Sequence, residues 1–290
     1  MMTRLGIAFM RLMGHCPLGV VRALGWGMGW CLYLLIPARR RVVMTNLALC
    51  FPEQTNEYRR AISHQVFIKF AQTWLDRGWL WHGAPQTTAK RLRLVGDVAQ
   101  LAGNEPTVLF APHFMGLDAG ATALSQNVPR QFSTIFTPQS NKAIDAWIAK
   151  GRNRYGNAKL YDRMAGIKPV LSALRAGDPL YLLPDMDFGE NECVFVPFYG
   201  VQTATVPSLS RFARLGRAKV VPVLTRMTDD GYEVEILPAW ENFPTADAVA
   251  DTALMNARLQ DYIATMPEQY YWVHKRFKTR PTGEPDVYAD

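Results

Sequence analysis

His113 and Asp118 are the residues of this sequence whose types and spacing could perform catalysis. They lie in the segment Thr107–Ala121, which reads TVLFAPHFMGLDAGA. Its apolar start predicts a strand that ends at Pro112, so that His113 lies in the following turn and Asp118 in the first turns of a helix. A histidine there can remove a proton near neutral pH, and a neighbouring carboxylate can fix its tautomer and stabilise the imidazolium.

The spacing of the pair limits the chemistry that it can support. A five-residue separation does not face one side of a regular helix, so the two side chains can meet only if His113 lies outside the helix and folds back. The chain contains no G-x-S-x-G segment and no cysteine in a nucleophile motif, so the pair predicts a base that activates a substrate hydroxyl without an acyl-enzyme. A histidine that merely packs at a strand end would give the same pattern. The other histidines show no paired metal spacing, and we expect no metal and no cofactor.

The elements that must position this pair are those of an α/β fold. Strand-like apolar runs occur at Thr107–Ala111, Leu180–Leu183, Lys219–Leu224 and Tyr232–Leu237. Helical periodicity covers 57–82 and recurs near 116–125, 141–151, 166–176, 205–216 and 247–266. Short buried strands that alternate with helices predict a central, mostly parallel sheet flanked by helices. The 290 residues suffice for one such domain, and their 49% hydrophobic content argues against disorder.

An apolar segment precedes this domain. Leu18–Ile36 is apolar apart from Arg22, and its length is close to the roughly 20 residues that a helix needs to cross a bilayer. Pro37 and three arginines at 39–41 end it, which favours a cytoplasmic location for the rest of the chain. We therefore expect a membrane anchor over residues 1–37 and a cytoplasmic catalytic domain over 38–290. A tilted span with Arg22 reaching the headgroups, a shallow interfacial anchor and a buried core helix all fit the segment.

The charge of the chain indicates an anionic partner. The formal net charge is +7, which suits membrane phosphates, an acidic carrier protein or nucleic acid. Nucleic acid is disfavoured because the chain has no zinc-ribbon spacing, no aromatic RNA-binding signature and no long basic tract. Lys275, Arg276, Lys278 and Arg280, interleaved with aromatic residues, form a C-terminal basic run that could hold lipid phosphates or dock a carrier protein.

Several long segments resemble the late acyltransferases of lipid A biosynthesis, of the lauroyl and myristoyl transferase type. HFMGLD resembles the H-x4-D/E motif of glycerolipid and lipid A acyltransferases, with Asp118 where some members have Glu. Arg39–Glu53 is similar to that family's entry segment, Pro184–Val206 to its P-D-x-D-x-G…VFVPFFG…AT block, and Met266–Tyr288 to its PEQY-W-H-RFKTRP ending. The resemblance extends from about residue 20 to 288, and the E-G-T-R-S type block of the glycerol-phosphate branch is missing.

This resemblance implies a glycerolipid-acyltransferase-like fold and a specific reaction. The donor would be a fatty acyl chain on acyl carrier protein, and the acceptor a phosphorylated glucosamine disaccharide lipid at the inner membrane. The hydroxyl attacked would belong to a 3-hydroxyacyl chain already on the sugar. His113 would be the general base and Asp118 would orient it.

The resemblance also implies further substrate-binding residues. An arginine after the dyad corresponds to Arg152 first and Arg154 second, and the P-D-x-D block supplies Asp185 and Asp187. An arginine there could hold a phosphate or stabilise a developing oxyanion. Each arginine could instead be a solvated helix end, and each aspartate could be turn chemistry beside Gly189.

Two other functions fit the same features. One is a glycerol-phosphate or lysophosphatidate acyltransferase of phospholipid synthesis. The other is a membrane-bound lipid-binding protein that keeps the fold without catalysis. Neither the acyl chain length nor the acceptor position follows from the sequence, because chain measurement depends on the depth of an apolar pocket.

Overall fold

A computed structural model describes residues 2–289. Within that range the helices are α1 (Met2–Met13), α2 (Leu18–Leu35), α3 (Pro37–Cys50), α4 (Asn56–His82), α5 (Pro85–Arg91), α6 (Leu117–Asn127), α7 (Lys142–Arg152), α8 (Lys168–Arg175), α9 (Ser208–Gly216) and α10 (Ala248–Ala264). The strands are β1 (Leu92–Gly96), β2 (Thr107–Phe110), β3 (Phe132–Phe136), β4 (Ala158–Asp162), β5 (Leu180–Leu182), β6 (Val194–Phe198), β7 (Val201–Thr205), β8 (Lys219–Thr228) and β9 (Gly231–Ile236). Short 3-10 helices cover Val98–Leu101, Arg163–Ala165 and Pro267–Gln269.

The main sheet has seven strands in the order β1-β9-β8-β2-β5-β3-β4. All neighbouring pairs are parallel except β8 and β9, which are antiparallel. Helices pack on both faces of this sheet around two clusters of buried apolar side chains. The prediction of an α/β fold with a mostly parallel, helix-flanked sheet is therefore confirmed. Strands β6 and β7 form a separate antiparallel hairpin.

The loops that follow β2 and β5 lie side by side, and they contain His113 and Asp185. Phe110 and Leu182, the last residues of these strands, are register partners in a parallel pair. The carboxyl ends of parallel strands meet at one edge of the sheet, where open α/β sheets bind their ligands. His113 and Asp185 each follow their strand end by three residues, so both belong to this edge.

The N-terminal helices α1 and α2 both pack against helix α4. The Thr55 side chain caps its start by accepting a hydrogen bond from the backbone N–H of Tyr58. Helix α2 lies against α4 at glycine contacts, since a Cβ at Gly25 or Gly29 would come within 2.7 or 2.5 Å of α4 atoms. Such small residues let two helix backbones approach closely, so that α2 is packed on the folded domain.

Arg22 joins helix α2 to the interior of the domain. Its Nη2 lies 3.1 Å from Oδ2 of the buried Asp76 and donates to the carbonyl of Gly231 at 3.3 Å. The Tyr232 hydroxyl donates to the same carboxylate at 2.5 Å. The side chain of Arg22 therefore points into the protein, contrary to the alternative in which it reaches outward to lipid headgroups.

Helix α2 is also long and apolar enough to cross a membrane. Its outer face is uncovered, with Leu24 and Trp26 about half exposed and Leu35 78% exposed. A buried core helix does not have such a face. The opposite face of α2 packs against α4 and is part of the folded domain.

Candidate active site

His113 and Asp185 form a hydrogen-bonded pair at the edge where β2 and β5 end. The Nδ1 atom of His113 lies 2.8 Å from Oδ1 of Asp185, and the backbone N–H of His113 donates to Oδ2 at 3.0 Å. The carboxylate is fully buried, while 21% of the imidazole is exposed. With Nδ1–H donated to the carboxylate, Nε2 is left as the basic nitrogen, and no hydrogen bond occupies it within residues 2–289.

The C-terminal segment fixes this pair in place. The Tyr270 hydroxyl donates to Oδ2 of Asp185 at 2.9 Å, and the backbone N–H of Tyr271 donates to the His113 carbonyl at 2.9 Å. Burial would raise the pKa of Asp185, but the charge and hydrogen bonds of His113 and the Tyr270 hydroxyl outweigh it and lower the pKa. The carboxylate is therefore ionised and ready to balance a positive imidazole.

Asp118 has a different set of partners from those expected. Its Oδ2 accepts from Nε of Arg77 at 2.7 Å and its Oδ1 from Nε of Arg152 at 2.9 Å. Burial would raise the pKa of Asp118, but Arg152 and Arg77 outweigh it and hold the pKa well below its usual range. The expected contact between Asp118 and His113 is corrected: helix α6 begins at Leu117 and aims the carboxylate at α4 and α7, so Asp185 contacts the imidazole.

Arg77 is a site residue that the sequence analysis missed. It lies near the C-terminal end of α4, where its guanidinium sits 4.3 Å from the Trp74 ring centroid and 5.6 Å from that of Trp81. Stacking on these two indole rings orients the planar guanidinium group of Arg77 toward Asp118. A single arginine within this tryptophan-rich stretch was the signal that could have identified it.

Arg152 is the arginine that the structure brings to the site, and Arg154 is not. Arg152 ends α7 and keeps a third of its side chain exposed beside Asp118. Arg154 instead donates to the carbonyls of Leu80, at 2.5 Å, and Gly83, and so satisfies the C-terminal end of α4. Its expected contact with substrate is therefore corrected to a structural role.

The other residues expected to bind substrate are Asp187, Arg276 and Lys275, and the structure gives them different surroundings. Asp187 is buried and accepts hydrogen bonds from the backbone N–H of Gly189 in its own loop and from the backbone and hydroxyl of Thr279, as in the turn alternative.

Arg276 is only 2% exposed and donates to the carbonyl of Ala204 and the Thr205 hydroxyl, so it is not part of a basic surface. Lys275 is exposed and lies over the Tyr288 ring. The binding roles of Asp187 and Arg276 are thus corrected, and that of Lys275 stays a prediction.

A narrow apolar cavity opens beside Asp118 and Arg152. It runs between α6 and strands β3, β4 and β5 and has a volume of about 90 Å³. Its apolar walls include Leu117, Ala121, Leu124, Phe132, Ile135 and Leu160. Among residues 2–289, no cluster of three His, Cys, Asp or Glu side chains could hold a metal ion.

His274 makes the stability of this region depend on pH. Burial lowers the pKa of His274 from 6.5 to about 4, assisted by the charges of Arg276 and His113, and its Nε2 accepts from the Asp187 N–H at 3.3 Å. The unfolded chain therefore binds this proton more readily, and the free energy of unfolding should fall as pH drops from 6.5 to 4.

The variant His274→Gln keeps an acceptor but cannot titrate. Across that interval the wild type should lose up to about 3 kcal/mol more than the variant. Urea unfolding at several pH values measures both curves. Parallel curves for the two proteins would contradict the assignment.

Comparison with known proteins gives consistent results. The family model described as bacterial lipid A biosynthesis acyltransferase matches residues 1–279. Three Escherichia coli K12 proteins are similar to this chain. The lipid A biosynthesis lauroyltransferase is 32% identical over 99% of this chain and 94% of its own length. The palmitoleoyltransferase is 28% identical over 99% and 94%, and the myristoyltransferase 29% identical over 86% and 78%.

A solved structure is also similar, at a lower level. The 1-acyl-sn-glycerophosphate acyltransferase of Thermotoga maritima covers 83% of this chain and 95% of its own, with 10% identity and a TM-score of 0.39. A similarity of that size carries no argument about function.

Proposed function

The chain belongs to the family of bacterial lipid A biosynthesis acyltransferases and is an acyltransferase, and we propose that it transfers a fatty acyl chain from acyl carrier protein to a lipid A precursor. The acceptor group would be the hydroxyl of a 3-hydroxyacyl chain. The observation that carries the mechanism is the hydrogen-bonded His113–Asp185 pair, whose imidazole is partly exposed.

His113 acts as the general base in this proposal. Its Nε2 takes the proton of the acceptor hydroxyl as the oxygen attacks the thioester carbonyl carbon, and a new C–O bond forms. When the tetrahedral intermediate collapses, the C–S bond breaks and the imidazolium returns the proton to the leaving thiolate. Asp185 stabilises the imidazolium between these steps and holds its tautomer.

The Arg77–Asp118–Arg152 cluster provides positive charge at the start of α6, five residues after His113. Two guanidinium groups share one carboxylate, so the cluster carries a net positive charge beside the cavity mouth. Each arginine uses its Nε on Asp118, which leaves its terminal nitrogens available. We assign these donors to the oxyanion that develops on the thioester carbonyl, since fixed charge is most effective where substrate charge increases.

We assign the apolar cavity beside Asp118 to the donor chain because its walls are mostly apolar. Ala121 and Ser125 both line its α6 wall, about one and two turns beyond Asp118. A leucine at Ala121 should therefore block the cavity nearer its mouth than a leucine at Ser125.

We expect Ala121→Leu to shift donor preference to clearly shorter chains and Ser125→Leu to shift it less. Each excluded methylene should change the ratio of kcat/KM between neighbouring chain lengths by about tenfold or more. Competition between acyl carrier proteins of different chain length, read by mass spectrometry, measures this. An unchanged preference in both variants would remove the cavity as the donor site without affecting the reaction class.

The N-terminal helices support a location at the cytoplasmic face of the inner membrane. We propose that α1 and α2 lie in the membrane interface, because α2 is fixed along α4 while its other face is apolar and exposed. A perpendicular span would carry the buried ion pair of Arg22 and Asp76 into the bilayer. The proposed anchor over residues 1–37 is then also part of the folded domain.

Purified protein in detergent can be incubated with fatty acyl–acyl carrier protein and one of two acceptors. The proposal expects an added acyl mass on the lipid A precursor and none on lysophosphatidate. Product from lysophosphatidate alone would identify a phospholipid acyltransferase. Tight binding of the lipid A precursor with no transfer would identify a lipid-binding protein.

A further inference from the structure

An apolar groove runs along α4 on a different side of the site from the donor cavity. It consists of two adjoining cavities that share Leu32 and Phe70, and we call it the α4 groove. The inner cavity lies between α2, the start of α3, α4 and residues 271–274, and the outer one between α1, α2, α4 and α7. The two have volumes of about 350 and 500 Å³. Of the described residues that line them, none is acidic and none lines the donor cavity.

The inner end of the groove is separated from His113 by one side chain. Tyr271 lines it, and the Tyr271 ring centroid lies 6.3 Å from that of His113. Arg39 lines the same end, and its exposed side chain donates to the Val273 carbonyl at 3.3 Å. The positive charge of Arg39 therefore lies at the end of the groove that is nearest to His113.

The outer end of the groove emerges at an exposed apolar surface. Phe9 lines the outer cavity and is 45% exposed, and its neighbours on α1, Leu5 and Leu12, are about 60% exposed. Contiguous exposed apolar surface of this kind marks a lipid or protein contact. The groove thus runs from a surface suited to lipid to the side chain that lies beside His113, and has a positive charge at its inner end.

We propose that the α4 groove binds a fatty acyl chain of the acceptor lipid, with a phosphate of its headgroup near Arg39. This inference rests on the proposed function, which needs both lipid chains bound at the moment of transfer. The donor chain has its own cavity on the α6 side, so the acceptor chain requires another. An apolar channel with an arginine at its inner end matches a phosphorylated lipid in polarity and charge.

Gly6 offers a way to fill the groove without disturbing the fold. It lines the outer cavity, and a Cβ added there meets no atom within 4 Å. Gly6→Leu therefore places an apolar side chain into the groove, and it also replaces a helical glycine by a better helix former. Gly19→Leu is the matched control, because Gly19 on α2 is equally open and lies outside the groove.

We expect Gly6→Leu to raise the KM for the lipid A precursor by about tenfold or more, since each methylene contact that is lost from an apolar pocket weakens binding by about that factor. The turnover number and the KM for acyl–acyl carrier protein should change little, because the lost contacts are the same in the ground and transition states. The effect should shrink as the acyl chains of the acceptor are shortened. Gly19→Leu should behave as the wild type does.

Each contrary result has its own meaning. An unchanged acceptor KM in an active Gly6→Leu enzyme overturns the proposal, and so does a rise in the donor KM instead. An equal effect of Gly19→Leu would indicate altered membrane attachment and also overturn it. A wild-type protein that transfers nothing to the precursor refutes the proposed function itself, and the groove assignment falls with it.

Discussion

Replacing His113 by alanine should lower the turnover of acyl transfer by roughly a hundred- to ten-thousand-fold, the range of general base catalysis. In the proposed mechanism the imidazole accepts the hydroxyl proton, and its Nδ1 is already held by Asp185 at 2.8 Å. The KM for the acyl donor should change little, because the donor cavity does not include His113. Initial rates with saturating donor and acceptor give the turnover number.

The fold should survive this substitution. Asp185 keeps the backbone N–H of His113 and the Tyr270 hydroxyl as donors, and the bond from Tyr271 N–H to the His113 carbonyl involves only backbone. His15→Ala is a matched control, because His15 is exposed on the short turn between α1 and α2. A folded, membrane-associated His113→Ala enzyme with wild-type turnover would refute the base assignment.

The main strands and helices followed from the sequence because their patterns are local. The four apolar runs correspond to β2, β5, β8 and β9, and the long periodic stretch to α4. Strands β1, β3 and β4 were missed because most of their residues are only partly buried or exposed, so they form no continuous apolar run. Predictions of this kind depend on burial, and these outer strands are less buried than the four central strands β9, β8, β2 and β5.

The site was predictable only in part because its partners are distant in sequence. His113 and Asp185 are 72 residues apart and meet only because β2 and β5 are neighbours in register. Sequence spacing instead favoured Asp118, five residues from His113. Strand order, which no local pattern specifies, decides between these two carboxylates.

The arginines show the same limitation more clearly. Arg22, Arg154 and Arg276 look like membrane, substrate and surface residues in the sequence, yet each turns inward to a carboxylate or to backbone carbonyls. An arginine carries several donors in a rigid fork, so it can satisfy buried acceptors that lie far apart in the chain. Its role follows from the acceptors that the fold brings to it.

Replacing Asp185 by asparagine should impair turnover nearly as much as the loss of His113. An amide cannot stabilise the imidazolium by charge, and its NH2 group can donate to Nδ1, which would place the proton on Nε2 and abolish the base. In the Ser-His-Asp triad of serine proteases the same change lowers turnover by about ten-thousand-fold, and we expect a loss of about a thousandfold or more here.

A double-mutant comparison separates Asp185 from Asp118. Groups that act as one unit show strongly non-additive losses, so His113→Ala combined with Asp185→Asn should be about as slow as His113→Ala alone. Asp118→Asn acts on the Arg77–Arg152 cluster, and its loss should multiply that of His113→Ala because the two serve different charges in the transition state. Turnover numbers of the single and double variants measure both couplings. Full additivity for Asp185 together with non-additivity for Asp118 would return the orienting role to Asp118.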